Sequence, residues 1–301
     1  MNSQMYSVAG LCFCVILPEG KDAGRLLPSF ASFVSEKYGR QDSLFDFDAS
    51  KSLPPSWQDD IEIENMSNGM GNIVLSRTPD KYIVRLRTRH FSSVHIMTMS
   101  RDFSSAEAWI DWNDSDISLV LTSLLRIVYS QAVLMCDGVS VHASVVSDGT
   151  KAYMFMGRSG TGKSTHSSLW LKYVSGTSLV NDDNPVVRVE NGICKVYGTP
   201  WSGKTPCYRN VEYPLGGAVH LVQAMENRFS RKYDIEAFAL LLPGCSVIRT
   251  DSGLFSGLCD TLSKIAVSVP VGVLECRPDK EAVEVCRMAL SAVSSDLSKT
   301  Y

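Results

Sequence analysis

Residues 157–164 read Gly-Arg-Ser-Gly-Thr-Gly-Lys-Ser and satisfy the pattern G-x-x-x-x-G-K-[ST] in full. They lie between an apolar segment, residues 151–156, and a predicted helix over residues 163–173, which is the context this motif requires. Glycines let successive backbone N–H groups turn toward a phosphate with no Cβ in the way. The first turn of the helix presents its positive dipole end to the same anion. The sequence therefore predicts a P-loop that binds the phosphates of a nucleoside triphosphate.

ATP with Mg²⁺ is the ligand that the side chains of this loop favour. Lys163 can reach the β- and γ-phosphates as a mobile positive charge, and the Ser164 hydroxyl can ligate Mg²⁺. The predicted nucleotide-binding residues are Gly157, Ser159, Gly160, Thr161, Gly162, Lys163, Ser164 and Thr165.

Composition narrows the class of protein. The chain has 301 residues, of which 45% are hydrophobic and 20% charged, as in an ordered globular protein of one or two domains. A net charge of -3 predicts no nucleic-acid partner. Nine cysteines without a C-x-x-C pair predict reduced thiols in a cytoplasmic protein.

Two apolar stretches resemble membrane or targeting segments. Residues 6–17 have the length of a signal-peptide core, but no Lys or Arg precedes them, which favours a strand. Residues 117–135 approach the length of a membrane span, but Arg126 and Gln131 interrupt them. We therefore expect a buried helix there and no membrane partner.

The pattern along the chain predicts a mixed α/β protein with two domains. Short alternating runs, such as residues 82–87 and 93–99, predict a β-rich accessory domain over residues 1–115. Residues 22–38 are predicted to form a helix in that domain. The ATP-binding domain is predicted over residues 116–301, with the helix over residues 117–135 joining the two halves.

A predicted hairpin brings a histidine to the loop. Asp-Gly at residues 148–149 favours a two-residue turn, which pairs Ser147 with Thr150 and sets His142 opposite Phe155. His142 then lies beside the phosphates. A purely structural role for this histidine remains the alternative.

A second predicted hairpin brings carboxylates to the same place. Asn-Gly at residues 191–192 pairs Glu190 with Ile193 and places Asp183 near Pro200, apart from a shift that Pro185 would introduce. The acidic pair at residues 182–183 then meets residues 198–204.

Adjacent carboxylates suit two tasks, holding Mg²⁺ and taking a proton from a substrate hydroxyl. A turn or helix cap formed by Asp-Asp-Asn-Pro is the alternative. Four further side chains are weaker candidates for contacts with phosphate or substrate, and each also suits an ordinary structural or surface role: Arg158, Trp201, Lys204 and Arg209.

These residues together resemble the C-terminal kinase domain of HPr kinase/phosphorylase and, more distantly, the ATP-dependent phosphoenolpyruvate carboxykinases. The resemblance covers residues 139–218, with His142, the loop, the acidic pair and the glycine-rich segment 214–219 as its elements. Uncharacterised bacterial HPr-kinase-related proteins are more similar still. They share a Leu/Val-His-Ala run before the loop and Thr-Pro-Trp after the acidic pair.

This resemblance implies a phosphoenolpyruvate carboxykinase-like domain with a mixed, largely antiparallel sheet and the P-loop at its edge. It implies a catalytic set of Asp182 as base, His142 tuning the acidic pair, and Lys163. Ser164 and Asp183 would be the metal ligands, although the division of roles between the two aspartates stays open.

The chain departs from HPr kinases at Thr165, where they carry a glutamate, and at residues 196–201, which replace their Glu-Ile-Arg-Gly. HPr as substrate and the reverse phosphorylase reaction are therefore not predicted. We expect a kinase that transfers the γ-phosphate to a hydroxyl, of serine type, on a protein, peptide or small molecule. The alternatives are an ATP-binding regulatory switch or assembly factor and a remnant that no longer binds nucleotide. A homo-oligomer is compatible with the sequence.

Overall fold

A computed structural model of the chain describes residues 2–52, 54–57, 59–68, 71–90, 93–203 and 205–291. It shows a mixed α/β protein that divides into two compact units, Met1–Ala132 and Val133–Tyr301. The sequence placed the division after residue 115 instead. The helix that follows residue 115 belongs with the first unit because Tyr129 is anchored there, its hydroxyl donating a 2.9 Å hydrogen bond to the Val8 carbonyl.

The first unit is built on one β-sheet with strand order β1-β2-β3-β8-β7-β6-β5-β4. β2–β3 and β3–β8 are parallel pairs, and the other neighbours are antiparallel. Its strands are β1 (Asn2–Val8), β2 (Leu11–Leu17), β3 (Asp46–Asp48), β4 (Ile61–Asn68), β5 (Gly71–Arg77), β6 (Lys81–Thr88), β7 (His95–Ser100) and β8 (Ser105–Trp109).

The helix predicted over residues 22–38 is instead a short α-helix, α1 (Ala23–Leu26), and a 3₁₀-helix, Pro28–Phe33. Pro28 lacks the N–H that would continue an α-helix, and its ring clashes with the preceding turn. Another 3₁₀ turn covers Arg40–Asp42.

The long apolar stretch forms α2 (Ile117–Ala132), followed by a 3₁₀ turn, Val133–Cys136. By length and composition alone, Ile117–Cys136 is a stretch that could cross a membrane. However, 67% of the apolar 18-residue segment within this stretch is buried, as in the core helix of a folded protein.

The second unit contains a mixed sheet with strand order β12-β10-β11-β15-β14-β13-β9, in which β15 also pairs with β17, and β17 with β16. β11–β15 and β15–β17 are parallel pairs, and the other pairs are antiparallel. The strands are β9 (Gly138–Ser140), β10 (Ala143–Ser147), β11 (Ala152–Met156), β12 (Ser178–Asp183), β13 (Val186–Glu190), β14 (Ile193–Tyr197), β15 (Glu212–Gln223), β16 (Arg228–Lys232) and β17 (Val271–Cys276).

The helices of this unit are α3 (Lys163–Tyr173), α4 (Asp234–Leu241), α5 (Ser252–Ser268) and α6 (Lys280–Ser291), with a 3₁₀ turn at Leu242–Gly244. β11, which leads into the glycine-rich loop, has β10 on one side and β15 on the other. The strand before the loop is therefore internal to the sheet, and the loop lies where that strand ends.

The first hairpin has a different register from the predicted one. Ser147 pairs with Ala152, not with Thr150, and Ser144 rather than His142 faces Phe155. The reason is the Asp148 carboxylate, which accepts the N–H groups of Thr150 and Lys151 and so stabilises a wider, four-residue turn. Ala143 now faces Met156, so His142 lies at the level of the loop itself.

The second hairpin forms as predicted, with Glu190 opposite Ile193. Beyond Pro185 the register shifts, because Asp183 pairs with Ser202 and not with Pro200. Proline cannot donate to the ladder, which explains the irregularity.

The core beneath the loop consists of buried side chains from the sheet and from α3 and α6, including Phe155, Trp170 and Leu290. The Trp170 ring packs on Phe155 and donates a 3.0 Å hydrogen bond to Nε2 of His166. Burial lowers the pKa of His166 to about 4, so this imidazole is neutral at pH 7 and accepts that bond. Replacing Trp170 by alanine would cost about 3–5 kcal/mol of stability and would loosen the helix that starts at the loop.

Candidate active site

The glycine-rich loop turns sharply between β11 and α3. Gly162 has φ 103° and forms the N-cap of α3 without a side-chain cap, so the first N–H groups of the helix are left for another acceptor. Gly157 has φ 144°, and a Cβ there would lie 2.6 Å from Oγ1 of Thr161 and 3.2 Å from the Leu221 carbonyl. Both positions therefore require glycine.

Lys163 folds back over the loop. Its Nζ donates hydrogen bonds to the carbonyls of Gly157 (2.9 Å) and Arg158 (3.3 Å). Partial burial lowers the pKa of Lys163, while the nearby carboxylates of Asp183 and Asp182 act in the opposite direction. The ammonium group thus lies on the loop carbonyls, within electrostatic range of the two aspartates, and a phosphate could compete with those carbonyls for it.

Ser164 and Asp182 meet directly. The Ser164 hydroxyl donates a 2.9 Å hydrogen bond to Oδ1 of Asp182, although the residues belong to α3 and β12. β12 brings the aspartate here because it pairs with β10, with Asp182 opposite Ser144. Asp182 is 5% exposed.

Asp183 contacts the histidine that precedes β10. Its Oδ1 lies 3.1 Å from Nδ1 of His142, and both side chains are partly exposed, at 26% and 45%. The geometry follows from the register, since Ala143 is the strand partner of Asp183. A carboxylate oriented by an imidazole and open to solvent is suited to accept a proton.

Asn181 fixes the backbone around the acidic pair and was not predicted from the sequence. This fully buried side chain donates to Oγ1 of Thr199 (3.1 Å) and the carbonyl of Trp201 (3.0 Å). Its Oδ1 accepts the N–H groups of Asp183 (3.2 Å) and Asn184 (2.8 Å). An amide directly before two carboxylates at the end of a strand is the sequence signal that could have revealed it.

Gly203 closes the other side of the acidic pair. Its N–H donates a 2.7 Å hydrogen bond to the Asp182 carbonyl, and a Cβ there would lie 2.8 Å from that oxygen and 3.3 Å from Cβ of Asp183. A hydrogen bond joins the two ends of the segment that contains Gly203, because the N–H of Gly198 donates to the Val211 carbonyl (2.9 Å). A Cβ on Gly198 would collide with the carbonyl of Arg209.

These groups share one cleft of ≈ 390 Å³, which we call the acidic cleft. Nine predicted residues line it together with Ala143 and Gly203: His142, Ser159, Gly160, Gly162, Lys163, Ser164, Thr165, Asp182 and Asp183.

Other predicted residues lie elsewhere. Gly157 forms the base of the loop, and Thr161 turns its hydroxyl to the Arg158 carbonyl at 2.8 Å. Trp201 is buried, and Arg209 donates to the Leu179 carbonyl at 2.6 Å, so neither faces the acidic cleft. Lys204 is outside the described residues.

The acidic cleft fits a magnesium-bound phosphate by the chemistry of its donors. The hydroxyl of Ser164 and the carboxylate of Asp182 are hard oxygen ligands, and Mg²⁺ is commonly held by one or two such groups together with substrate phosphates. Within the described ranges, no cluster of three or more His, Cys, Asp or Glu side chains that could hold a metal is found. One hydroxyl and one carboxylate suit a cation that arrives with a phosphate.

Comparisons with known proteins give little family information. No protein-family model matches the sequence, and no curated protein matches it. The solved structures similar to the chain include that of the HPr(Ser) kinase/phosphatase from Coxiella burnetii. That match has 13% sequence identity and a TM-score of 0.33, and covers 52% of this chain and 98% of the other. At this level, function has to be inferred from the site.

Proposed function

We propose that the chain is an ATP- and Mg²⁺-dependent kinase that transfers the γ-phosphate to a hydroxyl group. The observation that carries the proposal is the meeting of Lys163, Ser164, Asp182, Asp183 and His142 in the acidic cleft. Positive charge, a pair of metal-type oxygen donors and a solvent-accessible carboxylate are the components that phosphoryl transfer needs.

The loop and the start of α3 would bind the triphosphate. Backbone N–H groups and the positive end of the helix face the anion, and Lys163 would move from the loop carbonyls to the β- and γ-phosphate oxygens. Gly160 and Gly162 leave open space next to their Cα atoms, so the backbone can approach a phosphate closely.

On the basis of this geometry, we assign the two aspartates the opposite roles from those that the resemblance implied. Ser164 and Asp182 are already hydrogen-bonded and would hold Mg²⁺, which neutralises charge on the phosphates when bound. Asp183 is the more exposed carboxylate, is oriented by His142, and would be the general base.

In the proposed step, the oxygen of the acceptor hydroxyl forms a bond to the γ-phosphorus while the bond from that phosphorus to the β,γ-bridging oxygen breaks. Asp183 takes the hydroxyl proton, and ADP is the leaving group. His142 steadies the carboxylate through Nδ1, and Lys163 offsets charge on the transferred group. The chain's part is mainly positioning and charge stabilisation.

The proposal extends to the fold family, a phosphoenolpyruvate carboxykinase-like nucleotide domain over residues 133–301. The features that support this assignment are the internal position of β11 and its parallel pairing with β15. A solved structure of the chain with a bound nucleotide would test it.

The test is transfer of label from γ-labelled ATP with Mg²⁺ to components of a lysate from the source organism, with Asp183→Asn as the matched control. We expect label on an acceptor with the wild type only, in a bond that survives brief acid treatment, as phosphate esters of hydroxyls do. Equal labelling by the two proteins, or acid-labile label, would contradict the assignment. Unchanged ATP affinity with no labelled acceptor would favour the regulatory switch.

A further inference from the structure

A second cleft lies on the opposite side of the glycine-rich loop from the acidic pair. It has a volume of ≈ 430 Å³, within the range of small-molecule sites. Residues 158–161 of the loop form one wall, and residues 220–223, at the end of β15, form the other. We call it the β15 cleft.

The topology fixes the position of the β15 cleft relative to the acidic cleft. β11 has β10 and then β12, with the aspartates, on one side, and β15 on the other. Because β11 and β15 are parallel, with Met156 opposite His220, both strands end at the edge where the loop lies. Ligands of such sheets bind outside the carboxyl ends of parallel strands.

The loop tip and the end of β15 are joined by a side-chain contact. Nε2 of Gln223 donates a 3.2 Å hydrogen bond to the Gly160 carbonyl. Ser159 and Gly160 line both clefts, so a ligand that follows the loop passes from one to the other.

The side chain of His220 lines the β15 cleft. Its Nδ1 is buried without a hydrogen-bond partner among the described residues. Burial, with the positive charges of Lys163 and Arg158, lowers the pKa of His220, so its ring is neutral at pH 7. A neutral imidazole ring beside an apolar wall, Leu221 and Val222, can pack against the face of a heterocyclic base.

We infer that the β15 cleft binds the nucleoside, base and ribose, of the nucleotide whose phosphates occupy the loop. This inference rests on the proposed function. The acceptor hydroxyl must reach Asp183, so the acceptor enters from the acidic cleft, at the γ-phosphate. The other end of the nucleotide then extends toward β15, between Arg158 and His220.

The experiment compares Mg²⁺-ATP with Mg²⁺-tripolyphosphate, which lacks the nucleoside, by titration calorimetry on the full chain. We expect the wild type to bind ATP more tightly. His220→Ala should raise the Kd for ATP about tenfold, as for the loss of one ring contact, and leave the Kd for tripolyphosphate unchanged. His90→Ala, at an exposed position in the first unit, is the matched control.

Val222→Trp gives an independent route, because this side chain is 39% exposed and its enlargement fills the β15 cleft without disturbing the core. Val222→Trp should also weaken the binding of ATP and leave that of tripolyphosphate unchanged. The inference of a nucleoside site would be wrong if the wild type bound the two ligands equally tightly. It would also be wrong if the variants weakened the binding of both ligands or of neither. The proposal of phosphate binding by the loop would stand in each case. A wild type that binds neither ligand would instead refute the proposed function.

Discussion

The Ser164 hydroxyl donates a 2.9 Å hydrogen bond to Oδ1 of Asp182, across 18 residues of sequence. This contact joins the start of α3 to the end of β12 and separates the environments of two adjacent carboxylates. Asp182 is buried and accepts from the hydroxyl, whereas Asp183 faces the partly exposed ring of His142. Two carboxylates in different surroundings can carry different roles.

Substitution of each aspartate by asparagine should therefore have a different effect. Asp183→Asn removes the proposed base, so we expect about 10²–10⁴-fold slower transfer with nearly unchanged affinity for Mg²⁺-ATP. Asp182→Asn should raise the Mg²⁺ concentration needed for half-maximal ATP binding by about 10-fold or more. Magnesium titrations of ATP binding and transfer rates check both. The opposite pattern would restore the assignment implied by the resemblance.

Removal of the loop lysine should affect binding of the phosphates. Lys163→Ala loses charge-assisted hydrogen bonds, and we expect the Kd for Mg²⁺-ATP to rise about 10- to 100-fold. Lys172→Ala, at the exposed end of the same helix, is the matched control and should bind as the wild type does. Equal affinity in the two variants would indicate that the loop does not hold nucleotide.

Asn181 should act as a positioning residue. Asn181→Ala removes the acceptor of the Asp183 and Asn184 N–H groups and one donor to the Trp201 carbonyl, and we expect a loss of about 3 kcal/mol in the free energy of unfolding. Transfer should slow at saturating ATP, because Asp183 is no longer fixed. Urea unfolding and transfer rates are the two measurements. A stability loss with an unchanged rate would limit Asn181 to a structural role.

Gly203 should be intolerant of even one added carbon. In Gly203→Ala the new Cβ would press on the Asp182 carbonyl and on Asp183, which we expect to cost about 1–3 kcal/mol and to slow transfer more than it weakens ATP binding. Gly257→Ala in α5 is the matched control, since a Cβ there meets nothing closer than 3.7 Å. A Gly203→Ala protein with normal transfer would show that this approach is not needed for catalysis.

The first unit offers a separate test of stability. Asp114 is buried and accepts hydrogen bonds from His95 (2.9 Å) and Thr88 (2.7 Å). Burial alone would raise the pKa of Asp114, but hydrogen bonds, including that from the Asp116 N–H, lower it below its ordinary value of 3.8. The unfolded chain therefore takes up the proton first, and this stabilisation is present above pH 3.8 and lost as pH falls further.

Asp114→Asn should lower the free energy of unfolding at pH 7 by about 3–5 kcal/mol, as for a broken buried pair. Asp80→Asn, on an exposed turn, is the control and should have little effect. Urea unfolding of the full chain at pH 7 is the measurement. A loss no larger than that of the control would show that the buried contacts contribute little.

The sequence predicted the parts of the fold that local chemistry determines. Asn-Gly at residues 191–192 fixes a two-residue turn, so the pairing of Glu190 with Ile193 is confirmed. The turn at Asp148 was predicted wrongly because the register depends on which N–H groups its carboxylate accepts. His142 and the acidic pair still lie next to the loop despite this error, because strand order, and not the register of single residues, brings them together.

Two features of the site could not be read from the sequence. The contact of Ser164 with Asp182 rather than Asp183 depends on how β12 packs beneath α3. The position of His220 depends on the parallel pairing of β15 with β11, which joins residues more than sixty positions apart. Neither a local pattern nor a motif encodes such pairings.

The hydrogen bond that joins Gly198 to Val211 has a practical consequence for redesign of the segment between them. Gly203 is hydrogen-bonded to Asp182, and Cys207 and Arg209 are held against β12. Between and beside these anchors the side chains of Thr205, Pro206 and Tyr208 are exposed. Substitutions at these exposed positions would change the surface of the segment, while the carboxylates keep their places. Variation of the composition at these exposed positions, with Cys207 and Arg209 kept, is thus the way to vary this surface without loosening its anchors.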